Sequence, residues 1–374
     1  SITYTTLANT GCLVGTTLTN VLITDVTGVN ILSGTRPRLY YKKTTNTNTY
    51  ADNTNGTNGW KYVEADGVGS SPFTFTFDFT LLSGGGGIAV GDTIQYFVVA
   101  QDLVMTPNIA INSGTFAAAA SSVALSAAQF PLTGTINKFV FVNPLNGAKT
   151  IGASGDYPTL TGIGGLFEAV NNLGIATNLT ATILDAAVTE PGTVALNSIA
   201  YAGCTSGPFT LTIKPNTTSV LSGAVSSGAL IKLNGADNVV IDGSNSGGMD
   251  KSLTITNTST TAPTVVSVVS LGTNNGATNN TIKNCNISTG IATSIGYGIS
   301  IGGNTPGTPG DDNDYTTIQN NSITLAPIGI YATGNASGTN TDLNIIANSV
   351  VYNGTLASLG IQVGQATNSL ISQN

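Results

Sequence analysis

Histidine is absent from this 374-residue chain, and charge is scarce. Losing histidine removes the commonest general base and metal ligand near neutral pH. Only 8% of residues are charged, so Lys, Glu and Arg are too few for an ordinary helical protein. Arginine stops at Arg38. Eleven basic residues against 18 acidic ones leave a net charge of −7. That balance argues against nucleic acid or an anionic membrane as partner. The three cysteines, Cys12, Cys204 and Cys285, lie far apart and show no CxxC spacing. An odd, sparse set predicts no disulfide framework, with one Cys204–Cys285 bridge left open. No apolar run reaches the length of a transmembrane helix, and no signal peptide is recognised.

What remains is Thr, Asn, Gly and Ser around a 40% apolar content. Disorder does not follow, because the apolar residues alternate. Pairs such as Ile299 and Ile301, Ile328 and Ile330, and Ile361 and Val363 have period two, the mark of strands. The phrases YGISIG, IGIYAT and LGIQVG place Gly298, Gly329 and Gly360 at intervals of 31 residues. A fixed period of that size predicts stacked coils. Four further phrases, around Ile282, Ile318, Ile346 and Ile371, carry Ile followed by Asn-rich positions.

Asn284, Asn320 and Asn348 each stand two residues after an aligned Ile. Asn tolerates left-handed corners and bonds neighbouring backbone. Two readings stay open for these three: a hydrogen-bonded ladder running from coil to coil, or ordinary surface turns. Cys285 beside them reads as a buried, inert thiol.

The expected fold class is all-β, with an N-terminal β-sandwich followed by a right-handed parallel β-helix carrying a short N-terminal capping helix. Residues 1–108 read as the sandwich, with strands at Ile2–Leu7, Val21–Asp25, Arg38–Lys42, Lys61–Glu64, Phe73–Phe79 and Thr93–Ala100. Seven strands are usual for such a module, so one is missing from this set. Phe73, Phe75, Phe77 and Phe79 alternate onto one face. Trp60 reads as a core residue or as a sugar-stacking platform. Residues 109–136, rich in Ala and Ser, read as an extended connector with room for one packed strand. Residues 137–374 read as the β-helix, incomplete at its C-terminal end, so the chain is expected to be part of a longer polypeptide. Leu166, Val170 and Leu173 are spaced for a helix over about 163–173, suited to covering the first coil.

GDYPTL, LFEAVNNLG and ALIKLNGADNVVIDG, followed by the Ile-x-Asn coils, resemble secreted right-handed parallel β-helix (pectin-lyase-like) proteins of Bacteroidota. VLITDVTGV, RPRLYYKK, GWKYVE and GDTIQYFVVAQD resemble the immunoglobulin- or fibronectin-III-like module beside such helices. The resemblance covers nearly the whole chain. It implies the outer surface of a Gram-negative cell, type IX secretion and a C-terminal sorting domain, which is not visible here. It says little about activity, since this fold hosts lyases, hydrolases, adhesins and inert stalks.

A pectate-lyase-like site needs an Arg or Lys base with acidic residues, and a polygalacturonase-like site a His with an Arg-x-Lys. The chain past Arg38 offers only scattered lysines such as Lys214, Lys251 and Lys283. A glycosidase needs two carboxylates about 5–9.5 Å apart. Asp237 and Asp242, five residues apart, fall on opposite strand faces. The acidic cluster is Asp311, Asp312 and Asp314 in PGTPGDDNDY. It is open between a solvated turn, a Ca²⁺ site of hard oxygen ligands and catalysis. Gly84–Gly87 precedes a strand and reads as a turn, not a phosphate cradle. The expectation is therefore an extracellular surface or adhesin-type structural protein, a β-helix rod whose polar faces, with Thr and Asn ladders, touch polysaccharide or other surface proteins. The alternatives are a polysaccharide-active enzyme with its site outside this segment, and a structural subunit of a surface assembly.

Overall fold

The computed structural model describes residues 1–67, 69–84, 87–290 and 294–374. The turn expected at Gly84–Gly87 falls partly outside them. The chain is all-β, with one short α-helix among the described residues. It forms two compact units: residues 1–143 with 202–204, and residues 144–201 with 205–374.

Among the described residues of the first unit the named strands pair antiparallel, and one isolated parallel bridge joins Thr10 to Phe141. One sheet holds Ile2–Thr3, Thr17–Ile23 and Phe73–Thr76; the other is built on Arg38–Lys43 and Thr93–Gln101. Leu18, Val21, Phe73 and Phe75 from the first sheet share one core with Leu39, Tyr41, Ile94 and Tyr96 from the second. All four alternating phenylalanines are buried. Trp60 is fully buried, and its indole N–H donates to Asn48 Oδ1 at 2.9 Å, so it is a core residue with its polar atom satisfied.

Two expected boundaries move. Residues 109–136 contain the one packed strand allowed for there, but the rest is packed instead of extended. Ile109–Ile111 pairs with Val99–Gln101, while Val123, Leu125, Phe130 and Leu132 pack in a core with Tyr40, Trp60 and Phe97. The irregular spacing of those apolar residues hides this from any periodicity test. Asn137–Val140 is not the first strand of the coils either. It pairs antiparallel with Thr93–Tyr96 and supplies Phe139 to the first core.

A disulfide joins Cys12 to Cys204, and Cys285 is a free, buried thiol, so a Cys204–Cys285 bridge is not formed. Beside it the Gly11 N–H donates to the Ala202 carbonyl at 2.6 Å. Spacing could not reveal a pair 192 residues apart. The chain path decides it.

Parallel stacking begins at Leu145. The second unit is a parallel β-solenoid of about seven turns. Each complete turn contributes one strand to each of three sheets, which among the described residues have eight, six and six strands, and Asn340–Thr341 pairs separately with Ala366–Thr367. The first runs from Leu145–Ile151 and Ile175–Ile183 to Leu370–Ser372, the second from Ala187–Thr189 to Ser349–Val351, the third from Leu196–Asn197 to Leu359–Gly364. Inward residues stack in register. Ile213, Ile241, Ile282, Ile318 and Ile345 form one column, and Leu221, Ile255, Ile287 and Ile323 another. All are fully buried, each contributing about 1.5–3 kcal/mol. Ile345, not Ile346, continues the first column, which corrects the alignment of that phrase.

Two of the three repeat glycines have a steric cause, while a Cβ on Gly360 would meet nothing within 4 Å. Gly298 and Gly329 occupy equivalent positions in adjacent coils of the third sheet. A Cβ on Gly298 would stand 2.6 Å from Ile323 Cγ2 and from the Gly329 carbonyl oxygen; one on Gly329 would stand 2.3 Å from Val350 Cγ1. The helix, Leu166–Leu173, buries Leu166, Phe167 and Val170 in the solenoid core. It starts after Gly164–Gly165, and the Gly164 N–H donates to Glu168 at 2.5 Å. The buried Glu190 carboxylate fastens the approach to this helix. It accepts from the Leu160 and Thr161 N–H groups at 2.8 Å each and from Thr161 Oγ1 at 2.6 Å.

Candidate functional site

The corners after the first-sheet strands carry the asparagines. Asn284 and Asn320 have φ of 58° and 51°, the left-handed conformation in which Asn is favoured. Asn320 Nδ2 donates to Asn284 Oδ1 at 2.8 Å, and Asn284 Nδ2 to Asp242 Oδ1 at 2.8 Å. Ala347, at φ 54°, holds the same corner in the next coil.

Asn348 therefore stands in a different column, one residue on, with Asn321 and Asn374. Asn321 Nδ2 donates to Asn348 Oδ1 at 3.0 Å, and Asn348 Nδ2 to Asn374 Oδ1 at 3.0 Å. Each of these three also donates to the carbonyl of an Ile one coil earlier: Ile282, Ile318 and Ile345, at 2.8–2.9 Å. The amide oxygens accept N–H groups of the earlier coil in turn: Asn321 from Cys285, Asn348 from Asn321, Asn374 from Asn348. These amides complete the hydrogen bonding of buried corner backbone. Their role is structural. Cys285 occupies this column in the coil before, and burial pushes its thiol well up, which keeps it un-ionised.

The acidic loop is spent in the same way. Asp311 accepts from Thr273 Oγ1 at 2.6 Å and from Ser337 Oγ at 3.2 Å. Asp312 accepts the Asn274 N–H, and Asp314 the Thr341 N–H, each at 2.6 Å. The three carboxylates thus serve four neighbours and share none of them. Among the described residues no group of three or more His, Cys, Asp or Glu side chains is arranged to hold a metal ion. Hydrogen bonds, first from Thr273, hold Asp311 below the usual carboxylate range. Burial raises Asp314, and the charges of Asp312 and Asp342 add to it.

The structure gathers a second polar group that the sequence reading left scattered. Lys214, Asp242 and Lys283 share one outward column of the first sheet, with Asp242 and Lys283 paired at 3.1 Å. Lys251 Nζ donates to Asn320 Oδ1 at 2.9 Å beside them. Asp250 accepts from the hydroxyls of Ser244, Ser246 and Ser252, which hold it far below the usual carboxylate range. A glycosidase acid needs the opposite shift. Asp237 accepts from the Thr278 N–H and hydroxyl at 2.6 and 2.9 Å and is not paired with Asp242.

The second sheet carries a polar face whose residues the sequence did not single out. In the second sheet Ser222, Thr256, Ser288 and Thr324 stand in register on the outside, with Thr254, Asn286 and Ser322 in the column beside them. Thr256 and Ser288 hydroxyls lie 2.9 Å apart. No charged residue interrupts either column. The signal was present as the polar residues flanking each inward Ile, in TIT, NIS and SIT. On the third sheet, by contrast, Lys232 reaches Asn304 Oδ1 at 2.7 Å and the Gly307 N–H donates to Ser300 Oγ at 3.1 Å, so the 303–310 loop lies over that sheet. No protein-family model matches this chain, and no curated protein or solved structure is similar enough to it to suggest a relative.

Proposed function

We propose that this chain is a structural, adhesin-type protein of the outer surface of a Gram-negative cell, whose solenoid presents polar faces to neutral polysaccharide. The observation that carries the reading is the second-sheet face. Its hydroxyl and amide side chains repeat at the spacing of adjacent strands, about 4.7–4.9 Å, and they carry no charge to desolvate. Weak contacts repeated along such a face add up through multivalency. The Cys12–Cys204 disulfide supports an oxidising compartment. The immunoglobulin-like resemblance of the first unit and type IX export belong to the same proposal and rest on sequence resemblance. The chemistry described above favours binding over turnover, because the solenoid's outward carboxylates are committed to hydrogen bonds and ion pairs.

The test is a glycan array probed with the purified chain, beside Thr256→Lys and Ser288→Lys variants. Binding to uncharged glycans, weakened by both variants, is expected. Absence of glycan binding overturns the polysaccharide reading. New reducing ends or unsaturated sugars from a polysaccharide panel overturn the non-enzymatic one.

A further inference from the structure

The first unit leaves a strand edge open. Strand Thr17–Ile23 has Phe73–Thr76 on one side and Ile2–Thr3 on the other. On the second side, pairing covers Leu22 and Ile23 alone. Past Thr3 the N-terminal chain leaves for the other sheet. The Tyr4 hydroxyl accepts from Asn112 Nδ2 at 2.5 Å and from Asn137 Nδ2 at 3.0 Å, and the Leu7 N–H donates to the Tyr96 hydroxyl at 2.7 Å. Among the described residues no strand takes its place beside residues 17–21.

Ladder parity identifies the groups left over. The Phe77 N–H donates to the Thr16 carbonyl at 3.0 Å, and the register continues as Thr17 opposite Thr76 and Leu18 opposite Phe75. Hydrogen-bonded and non-bonded positions alternate in an antiparallel pair. Thr16 and Leu18 therefore bond toward Phe75–Phe77, and the N–H and C=O groups of Thr17 and Thr19 face the open side. A register shift between Leu18 and Val21, with Asn20 at φ 54°, ends this stretch. Such a bulge keeps the edge short, which guards against indiscriminate pairing.

The opening is also a groove of about 390 Å³. Tyr4, Leu7, Leu18, Thr19 and Leu22 are among its lining residues, and none of the lining side chains is charged. Leu22 is 51% exposed there.

We propose that this edge and groove receive a short, extended, uncharged segment of a partner protein by β-strand addition. The partner's main chain bonds Thr17 and Thr19, and one of its aliphatic side chains enters the groove against Leu7 and Leu22. A peptide backbone is the occupant that complements an open ladder edge. The uncharged lining selects an uncharged segment, because a charged side chain would lose water there without a partner.

Thr19→Pro isolates the interaction. Thr19 is exposed, and its N–H faces the open side, where an edge strand tolerates proline. The fold is kept and the added ladder bond is lost. The probe is a library of uncharged heptapeptides alternating Thr with Val, Ile, Leu or Tyr, both ends blocked, titrated into the full chain and followed by amide NMR and hydrogen exchange. Slowed exchange at Thr17 and Thr19 is expected, with affinity no weaker than about 1 mM and weakened at least about tenfold by Thr19→Pro at an unchanged melting temperature. Leu22→Lys, which sets a charge in the groove, is expected to weaken binding to a similar degree and decides the matter if Thr19→Pro melts early. No binding up to that concentration, full-strength binding to folded Thr19→Pro and Leu22→Lys, or protection mapped elsewhere overturns the proposal.

Discussion

Asn321 Oδ1 accepts the backbone N–H of Cys285 at 3.0 Å, reaching back across one coil of the solenoid. Both residues are fully buried, and water does not replace the bond. Asn321→Ala leaves the Cys285 N–H and the Ile282 carbonyl without this partner. The expected loss is about 1–3 kcal/mol for each buried group left unsatisfied. Asn320→Gly, at the neighbouring left-handed corner, is expected to cost well under that, since Gly adopts the same φ freely. Urea unfolding of the two variants side by side checks the ordering.

Gly329 and Val350 compete for one space. Gly329→Ala is expected to destabilise by about 1–3 kcal/mol through overpacking. Adding Val350→Ala should recover part of that loss, although Val350→Ala alone is destabilising. A double-mutant cycle in denaturant measures the coupling. Additive single effects would show that the two side chains do not meet.

The Cys12–Cys204 bridge closes a loop of 192 residues. Cys12→Ser is expected to lower stability by about 2–5 kcal/mol, the usual cost of losing such a bond. A reducing agent should lower the melting temperature of the wild type and leave that of Cys12→Ser unchanged. Calorimetry with and without reductant reads both.

Asp250 sets an acid limit. Its carboxyl is held below the 3.8 of free Asp by the Ser244, Ser246 and Ser252 hydroxyls, in that order. A depressed folded-state value means the unfolded chain takes up the proton first. The contribution is complete above pH 3.8 and disappears as the pH falls toward and through the depressed value. The stability difference between wild type and Asp250→Asn should therefore shrink on acidification below pH 3.8 and stay constant above it. Denaturant midpoints across that range test the sign.

The solenoid was legible because its interior is written in period two. Ile299 and Ile301 face in, and Ser300 between them faces out. Of the three glycines at the 31-residue interval, Gly298 and Gly329 leave no room for a Cβ, whereas Gly360 does. Register was less legible. Ile345 and Ile346 are chemically identical, and only burial separates the one that points inward. That one-residue slip put Asn348 in the column of Asn284 and Asn320, when it bonds to Asn321 and Asn374. The packed segment 109–136 and the Cys12–Cys204 pair were invisible because neither follows a period. The outward hydroxyl columns were visible residue by residue. Their alignment into a face depends on pairings between coils about thirty residues apart in sequence.

The place held by Gly298 and Gly329 is taken in earlier coils by the bulky residues Leu230 and Val265. In the later coils the second wall reaches into that place, with Ile323 Cγ2 2.6 Å from where a Cβ on Gly298 would stand and Val350 Cγ1 2.3 Å from one on Gly329. The coils are therefore not interchangeable parts. Transplanting a late coil into an early position would leave a hole, and the reverse would force two side chains into one site. Any engineered lengthening of this protein has to copy the matched pair together.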